Sequence, residues 1–155
     1  MKIELVLPLP VTLNKLTHNS RTKNNGKGGR SKTKRAKNWE RDARAAIQPF
    51  MAAHKAYCNH NITEKAKHWD FKSKSYRLGS LKKDHPALSY SVKYWFYFND
   101  GIIRDIANYE KQLSDFLVAN GFMLDDMFID EMLLKRESSD LQNASVKISI
   151  EVLKK

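Results

Sequence analysis

Ten of the chain's seventeen carboxylates fall between Asp100 and Asp140, although the whole protein carries a formal charge of +11. Carboxylates crowded together repel one another unless something cationic joins them, and a divalent metal does that well. The order of residues inside this acidic island is specific. Arg104-Asp105 opens a helical segment, Asn120-Gly121 closes it, and Leu124-Asp125-Asp126 follows as an acidic turn. Asp105 stands at or just before the first helical turn, where an acid also serves as a plain cap. Lys111 lies one turn after position 107 on the same face, so its ammonium sits beside whatever residue 107 carries. Two acidic clusters flanking one helix in a basic protein point to a metal site; solvated loop carboxylates are the bland alternative.

Such a site suits phosphodiester hydrolysis. Magnesium prefers hard carboxylate oxygens, keeps several waters and bridges to a phosphate oxygen, with manganese as its expected substitute. It activates the attacking water and neutralises charge in the transition state. A nearby lysine stabilises that charge or the leaving oxygen. The polyanion that an acidic site would repel is held by basic tracts elsewhere. Arg21–Arg44 carries ten Lys or Arg against two acids, and Glu64–His85 carries seven against three. Asn14, Lys15, Arg21, Lys23, Lys27, Arg30 and Lys32 are the candidates for contacts to a nucleic-acid backbone; a solvated loop is the alternative.

The bulk properties suit a globular protein with a polyanionic partner, nucleic acid being the commonest, and exclude several other classes. At 155 residues the chain fits a single domain with a real core. No run of eighteen apolar residues is present, so no membrane-spanning helix is expected, and Met1–Pro10 lacks the pattern of a signal peptide. One cysteine, Cys58, rules out an internal disulfide framework and suits a reducing cytoplasm. A sequence pI near 9.7 points to a polyanionic partner.

Elements that would position these residues follow from periodicity. Lys2–Leu7 alternates and reads as a strand, stopped by Pro8 and Pro10. Residues 14–33 form a basic, glycine-rich stretch expected to be a mobile loop. Lys34–Lys55 carries Trp39, Ala43, Ala46, Ile47 and Phe50 at helical spacing, with Pro49 expected to kink or shorten the helix. Cys58–His85 reads as a lysine-rich surface loop, part of an insertion at about 56–86. His54, Cys58, His60 and His68 match no usual zinc spacing. Trp69, Phe71 and Tyr76 interleave with lysines there, which suits base stacking or simple packing against the domain. Leu88–Phe98 is the clearest strand. A helix over Ile106–Asn120 buries Tyr109, Leu113, Phe116 and Leu117, and Gly121 takes the left-handed position at its end. Phe128–Arg136 and Ser145–Leu153 read as strands joined by Glu137–Asn143 in a hairpin. The expected fold is a small α/β (α+β) domain: a mixed sheet of about four strands with two main helices on one face.

At the acidic island the chain resembles a family. Arg104-Asp105-Ile106-Ala107-Asn108-Tyr109-Glu110-Lys111, followed by Ala119-Asn120-Gly121-Phe122-Met123-Leu124-Asp125-Asp126, is similar to the RusA family of Holliday junction resolvases. The pattern there is R-D-x-D-N-x-x-K, a helix, then a-G-[FW]-x-x-D-D. Leu7-Pro8-Leu9-Pro10 with Asn14-Lys15 resembles the family's opening strand and loop. The likeness covers the first fifteen residues and Leu88 to the end.

The resemblance implies a homodimeric, magnesium-dependent endonuclease of phage or prophage type that resolves four-way DNA junctions by paired nicks in a bacterial cytoplasm. No small-molecule cofactor and no membrane is implied. Carried over by position, Asp105 and Asp126 match two of three metal-binding acids, Lys111 the catalytic lysine, and Asp125 a supporting acid. Asn108 matches the motif asparagine, and with Arg104 it joins the candidates for DNA contact. The third acid is missing, because Ala107 stands where the pattern has aspartate. Loss of one carboxylate from a magnesium site cripples metal binding while sparing DNA affinity. Either this chain is a deliberately inactivated variant of a parent with aspartate at 107, or it is a natural paralogue that binds junctions without cutting. A non-catalytic DNA-binding protein on the same scaffold is therefore the rival reading, and a basic RNA- or ribosome-associated module a more distant one. The helix is roughly 20 Å long at 1.5 Å per residue. Asp126 must therefore fold back along it or act with another subunit.

Overall fold

The computed structural model describes residues 1–15, 17–20, 29–73, 75–77, 89–138 and 143–153. Its frame is a four-stranded sheet in the order β1 (Lys2–Pro8), β8 (Ser145–Leu153), β6 (Ser89–Phe98), β7 (Ile129–Ser138). Strand β1 (Lys2–Pro8) runs antiparallel to β8 (Ser145–Leu153), with Ile3 opposite Ile150 and Leu7 opposite Val146. Strand β6 (Ser89–Phe98) runs antiparallel to β8 on its other side. The period-two pattern does its expected work: Ile3, Leu5 and Leu7, Tyr90 to Phe98 at every second residue, and Val146, Ile148 and Ile150 are all buried.

Helix α1 (Lys34–Ala53) packs one face of this core through Ala36, Trp39, Ala43 and Ile47. Thr33 caps it, its hydroxyl oxygen accepting from the Ala36 amide at 3.2 Å. Trp39 ties helix to sheet by donating Nε1–H to the Pro8 carbonyl at 2.8 Å, while its ring meets Phe116 edge-on at 5.2 Å. Helix α3 (Ala107–Ala119) buries Tyr109, Leu113, Phe116 and Leu117, the expected stripe. The architecture is α+β, as the sequence pattern implies.

Four local expectations are corrected. Residues β7 (Ile129–Ser138) and β8 do not form a hairpin, because β6 lies between them and β7 pairs with β6 in parallel. The reason is connectivity: parallel neighbours need a long crossover, and α3 supplies it between β6 and β7. Pro49 does not end α1, which continues to Ala53. The break comes at His54, whose ring stacks on Phe50 at 4.0 Å before α2 (Lys55–Lys67) begins. That second helix replaces the surface loop expected from Cys58 onward. It buries only Cys58 and Asn61, too few to leave a periodic signal.

The fourth correction concerns the basic loop. Its flanks form an antiparallel pair, β2 (Thr17–Ser20) with β3 (Gly29–Lys32). A smaller two-residue pairing joins β4 (Trp69–Asp70) to β5 (Ser75–Tyr76), where the Trp69 and Tyr76 rings meet edge-on at 4.8 Å. Phe71 between them is 84% exposed.

Candidate active site

The acidic turn is held in place from three directions. Gly121 ends α3 with φ 76°, and the Phe122 amide donates back to the Leu117 carbonyl at 2.9 Å. A Cβ at Gly121 would stand 2.3 Å from the Cys58 carbonyl oxygen, so glycine is also what lets α2 come this close. From α2, Asn61 donates to the Gly121 carbonyl at 2.9 Å and Tyr57 donates to the Phe122 carbonyl at 3.1 Å. From β6, Tyr90 accepts the Leu124 amide at 3.1 Å. Phe122, Met123 and Leu124 are buried, so the pair Asp125-Asp126 emerges from an anchored apolar turn.

Asp126 folds back along α3 within one chain: its Oδ2 accepts from Lys111 Nζ at 2.9 Å. Lys111 also meets Asp115, one turn further on, at 2.8 Å. Ala107, Lys111 and Asp115, spaced by four, make an exposed stripe on α3. The Asp115 carboxylate, with the Asp126 carboxylate beside it, outweighs the opposing effect of burial and leaves the Lys111 ammonium holding its proton more tightly than an ordinary lysine. Burial pushes the Asp126 carboxyl upward, but the hydrogen bond from Lys111 and the charges of Lys111 and Lys65 outweigh it. The net shift is downward.

Asp125 has other partners. One oxygen accepts from the Met127 amide at 3.3 Å and the other from Lys65 Nζ at 2.5 Å. Both side chains of that ion pair are largely buried. Asp105 accepts from the Ala107 amide at 3.1 Å and from Asn108 Nδ2 at 3.0 Å, the cap geometry expected of an acid before a helix. Asn108 is thus a partner of Asp105.

Arg104 forks onto Asp100, whose carboxyl it draws down to about 2. The same guanidinium lies over the Phe98 ring at 5.2 Å, and Arg136 donates to the Arg104 carbonyl.

Several groups here had no place in the motif reading. Glu110 is half-buried and accepts from Ser114, which pairs with Tyr94 at 2.9 Å. Burial pushes the Tyr94 hydroxyl well up, and Glu110 and Asp126 add to that. Glu110 and Asp115 lie inside the acidic island and were open to view there. Lys65 was not, because sixty residues separate it from Asp125.

Among the DNA-contact candidates, Asn14, Lys15 and Lys32 are exposed, and Lys32 pairs with Glu40 of α1. Arg30 belongs to β3. Arg21, Lys23 and Lys27 lie outside the described residues.

The acidic donors that could receive a divalent metal are already partnered. Asp126 is given to Lys111, Asp125 to Lys65, and Asp105 to Asn108 and a backbone amide. Among the described residues no three His, Cys, Asp or Glu side chains stand together in a way that could hold a metal ion. The set does not fit a divalent ion as it stands, since two lysines occupy the cationic role and position 107 offers only a methyl group.

The chain is thus a basic α+β domain in which a lysine stands between acids on the helix of a β-α-β unit, β6-α3-β7. Residues 10–151 match the family described as Endodeoxyribonuclease RusA, and the chain belongs to that family. The matched range includes the segment 56–86 and hence α2. The family implies nuclease action on branched DNA of the Holliday junction type, generally with a divalent metal. No curated protein matches the chain.

Proposed function

We propose that this chain binds four-way DNA junctions as a two-fold homodimer, and that magnesium-dependent nicking requires a carboxylate at position 107 that it lacks. One observation supports this most. The two halves of the motif meet at Lys111, which Asp126 reaches at 2.9 Å, one turn from the alanine. The machinery is assembled around a gap of one carboxylate.

The residues have distinct parts in this reading. Lys111 offers an ammonium to a phosphate oxygen beside the scissile bond. Asp126 and Asp115 hold it in position. Asp105 and Asn108 fix the start of α3. Basic residues of 14–33 grip the DNA arms through phosphates, which supplies affinity and register without sequence readout. A two-fold dimer presents two equivalent surfaces to symmetrically related strands, and a phage-borne protein would act in the bacterial cytoplasm.

Competition binding at about 0.15 M salt tests the reading. A labelled four-way junction should be retained when excess linear duplex of the same sequence is added. Equal displacement by duplex would reduce the chain to a nonspecific basic binder.

A further inference from the structure

One cavity beside the candidate site has no part in that account. Between α2 and α3, next to the acidic turn, lies a cleft of about 430 Å3, within the size range of small-molecule pockets. Among the described residues its apolar wall is made by Ile62, Ala66, Val118 and Ala119. Tyr76, 45% exposed, lines it as well, and Lys65 Nζ lies 4.8 Å from the centre of the Tyr76 ring. Asp115, Asp125 and Asp126 supply its acidic side. Two of these acids are the ones that hold Lys111, so the cleft is continuous with the candidate active site.

The three acids are not equivalent. Asp125 is committed to Lys65 and to the Met127 amide. Asp115 is half-exposed and meets Lys111 through one oxygen. An ionised carboxylate has about four acceptor positions, so Asp115 keeps capacity for a further donor. A phosphate is a poor occupant, since like charge at this short range repels. A flat heterocycle suits the cleft better. Its π-face can lie on the aromatic ring and the apolar wall, and an exocyclic amino group can donate to a carboxylate.

Resting on the junction-binding reading above, we infer that this cleft takes up one nucleobase bearing an exocyclic amino group, unstacked from branched DNA beside the crossover. Thymine has no such group and is the poorer fit. Unstacking costs least where pairing is already disturbed, so the cleft adds to the preference for a branch point over continuous duplex.

The test compares two four-way junctions that differ only at the crossover-flanking positions, one carrying cytosine·cytosine mismatches there and the other thymine·thymine mismatches, so that the second offers no exocyclic amino group at the crossover. Affinities are measured by fluorescence anisotropy on the full chain, with linear duplex as the reference. The unaltered chain should bind the amino-bearing junction about tenfold more tightly. Val118→Trp, which fills the cleft, should erase that difference and leave duplex affinity unchanged. Tyr76→Ala should reduce it, and Tyr76→Phe should retain it. Should circular dichroism show that Val118→Trp is unfolded, the half-exposed Tyr76 variants decide alone. Junction preference without base preference, or variants that still discriminate, overturns the cleft assignment. Absence of any junction preference in the unaltered chain overturns the junction reading, and the cleft assignment with it.

Discussion

Asp126 Oδ2 sits 2.9 Å from Lys111 Nζ although fifteen residues separate them in the chain. Gly121 makes the return abrupt, and the hydrogen bonds from Asn61 and Tyr57 hold the turn against α2. A single ammonium thereby joins α3 to the acidic turn at the exposed face where Ala107 begins the helix.

This pair sets a pH window. Asp126 holds its proton less tightly than its ordinary value of 3.8 allows. Its stabilisation is complete above that value and is lost as pH falls through the depressed folded value. Lys111 holds its proton more tightly than its ordinary 10.5, so its contribution is complete below 10.5 and lost as pH rises through the folded value. The melting-temperature gap between the unaltered chain and Lys111→Met should be constant from about pH 5 to about pH 9 and close on acidification. Scanning calorimetry across that range checks it, and a gap that widens in acid contradicts the assignment.

Gly121→Ala should be strongly destabilising. The left-handed backbone alone costs about 1–2 kcal/mol for a residue with a Cβ, and that Cβ would press on the Cys58 carbonyl at 2.3 Å. The neighbour is backbone, so relief means moving α2 away from the turn. Urea unfolding should show a loss of more than about 2 kcal/mol; a loss under about 0.5 kcal/mol would mean α2 is not seated as described.

Lys65 and Asp125 form the ion pair that links α2 to the turn, with side chains 18% and 19% exposed. Removing one partner strands the other in a largely buried setting. Lys65→Met should therefore cost about 1–3 kcal/mol, while Lys65→Met with Asp125→Asn should recover part of the loss. A double-mutant cycle with no coupling between the two sites would show the pair to be incidental.

How much of this was legible beforehand depends on the kind of signal. Strands β1, β6 and β8 announce themselves by alternation, because each buries one face, and α1 and α3 by their apolar stripes. Asp105, Lys111 and Asp126 were legible because they lie within one short motif. Helix α2 was not, since it docks through Tyr57 and Asn61 to carbonyls sixty or more residues away rather than through an apolar face. The parallel pairing of β7 escaped for a similar reason. Most of its residues are exposed, so its partner is set by the open edge of β6 and the length of the α3 crossover.

The basic tract makes a separate prediction. Neutralising Arg21, Lys23 and Lys27 together should weaken junction binding and lower the slope of log affinity against log salt by about 2–3, close to one unit per lost phosphate contact. Titrations at several salt concentrations measure this directly. An unchanged slope would remove these residues from the DNA contact surface.

Ala107 is the residue on which the account turns. Ala107→Asp places a carboxylate one turn before Lys111, on the exposed stripe that Asp126 faces through the lysine. The decisive measurement incubates the unaltered chain and Ala107→Asp with a synthetic four-way junction, with and without magnesium, and resolves the strands on a denaturing gel. Binding without nicks by the unaltered chain, and paired symmetric nicks by Ala107→Asp only when magnesium is present, is the expected result. An Ala107→Asp chain that binds the junction as tightly as the unaltered one yet never nicks it would contradict the account.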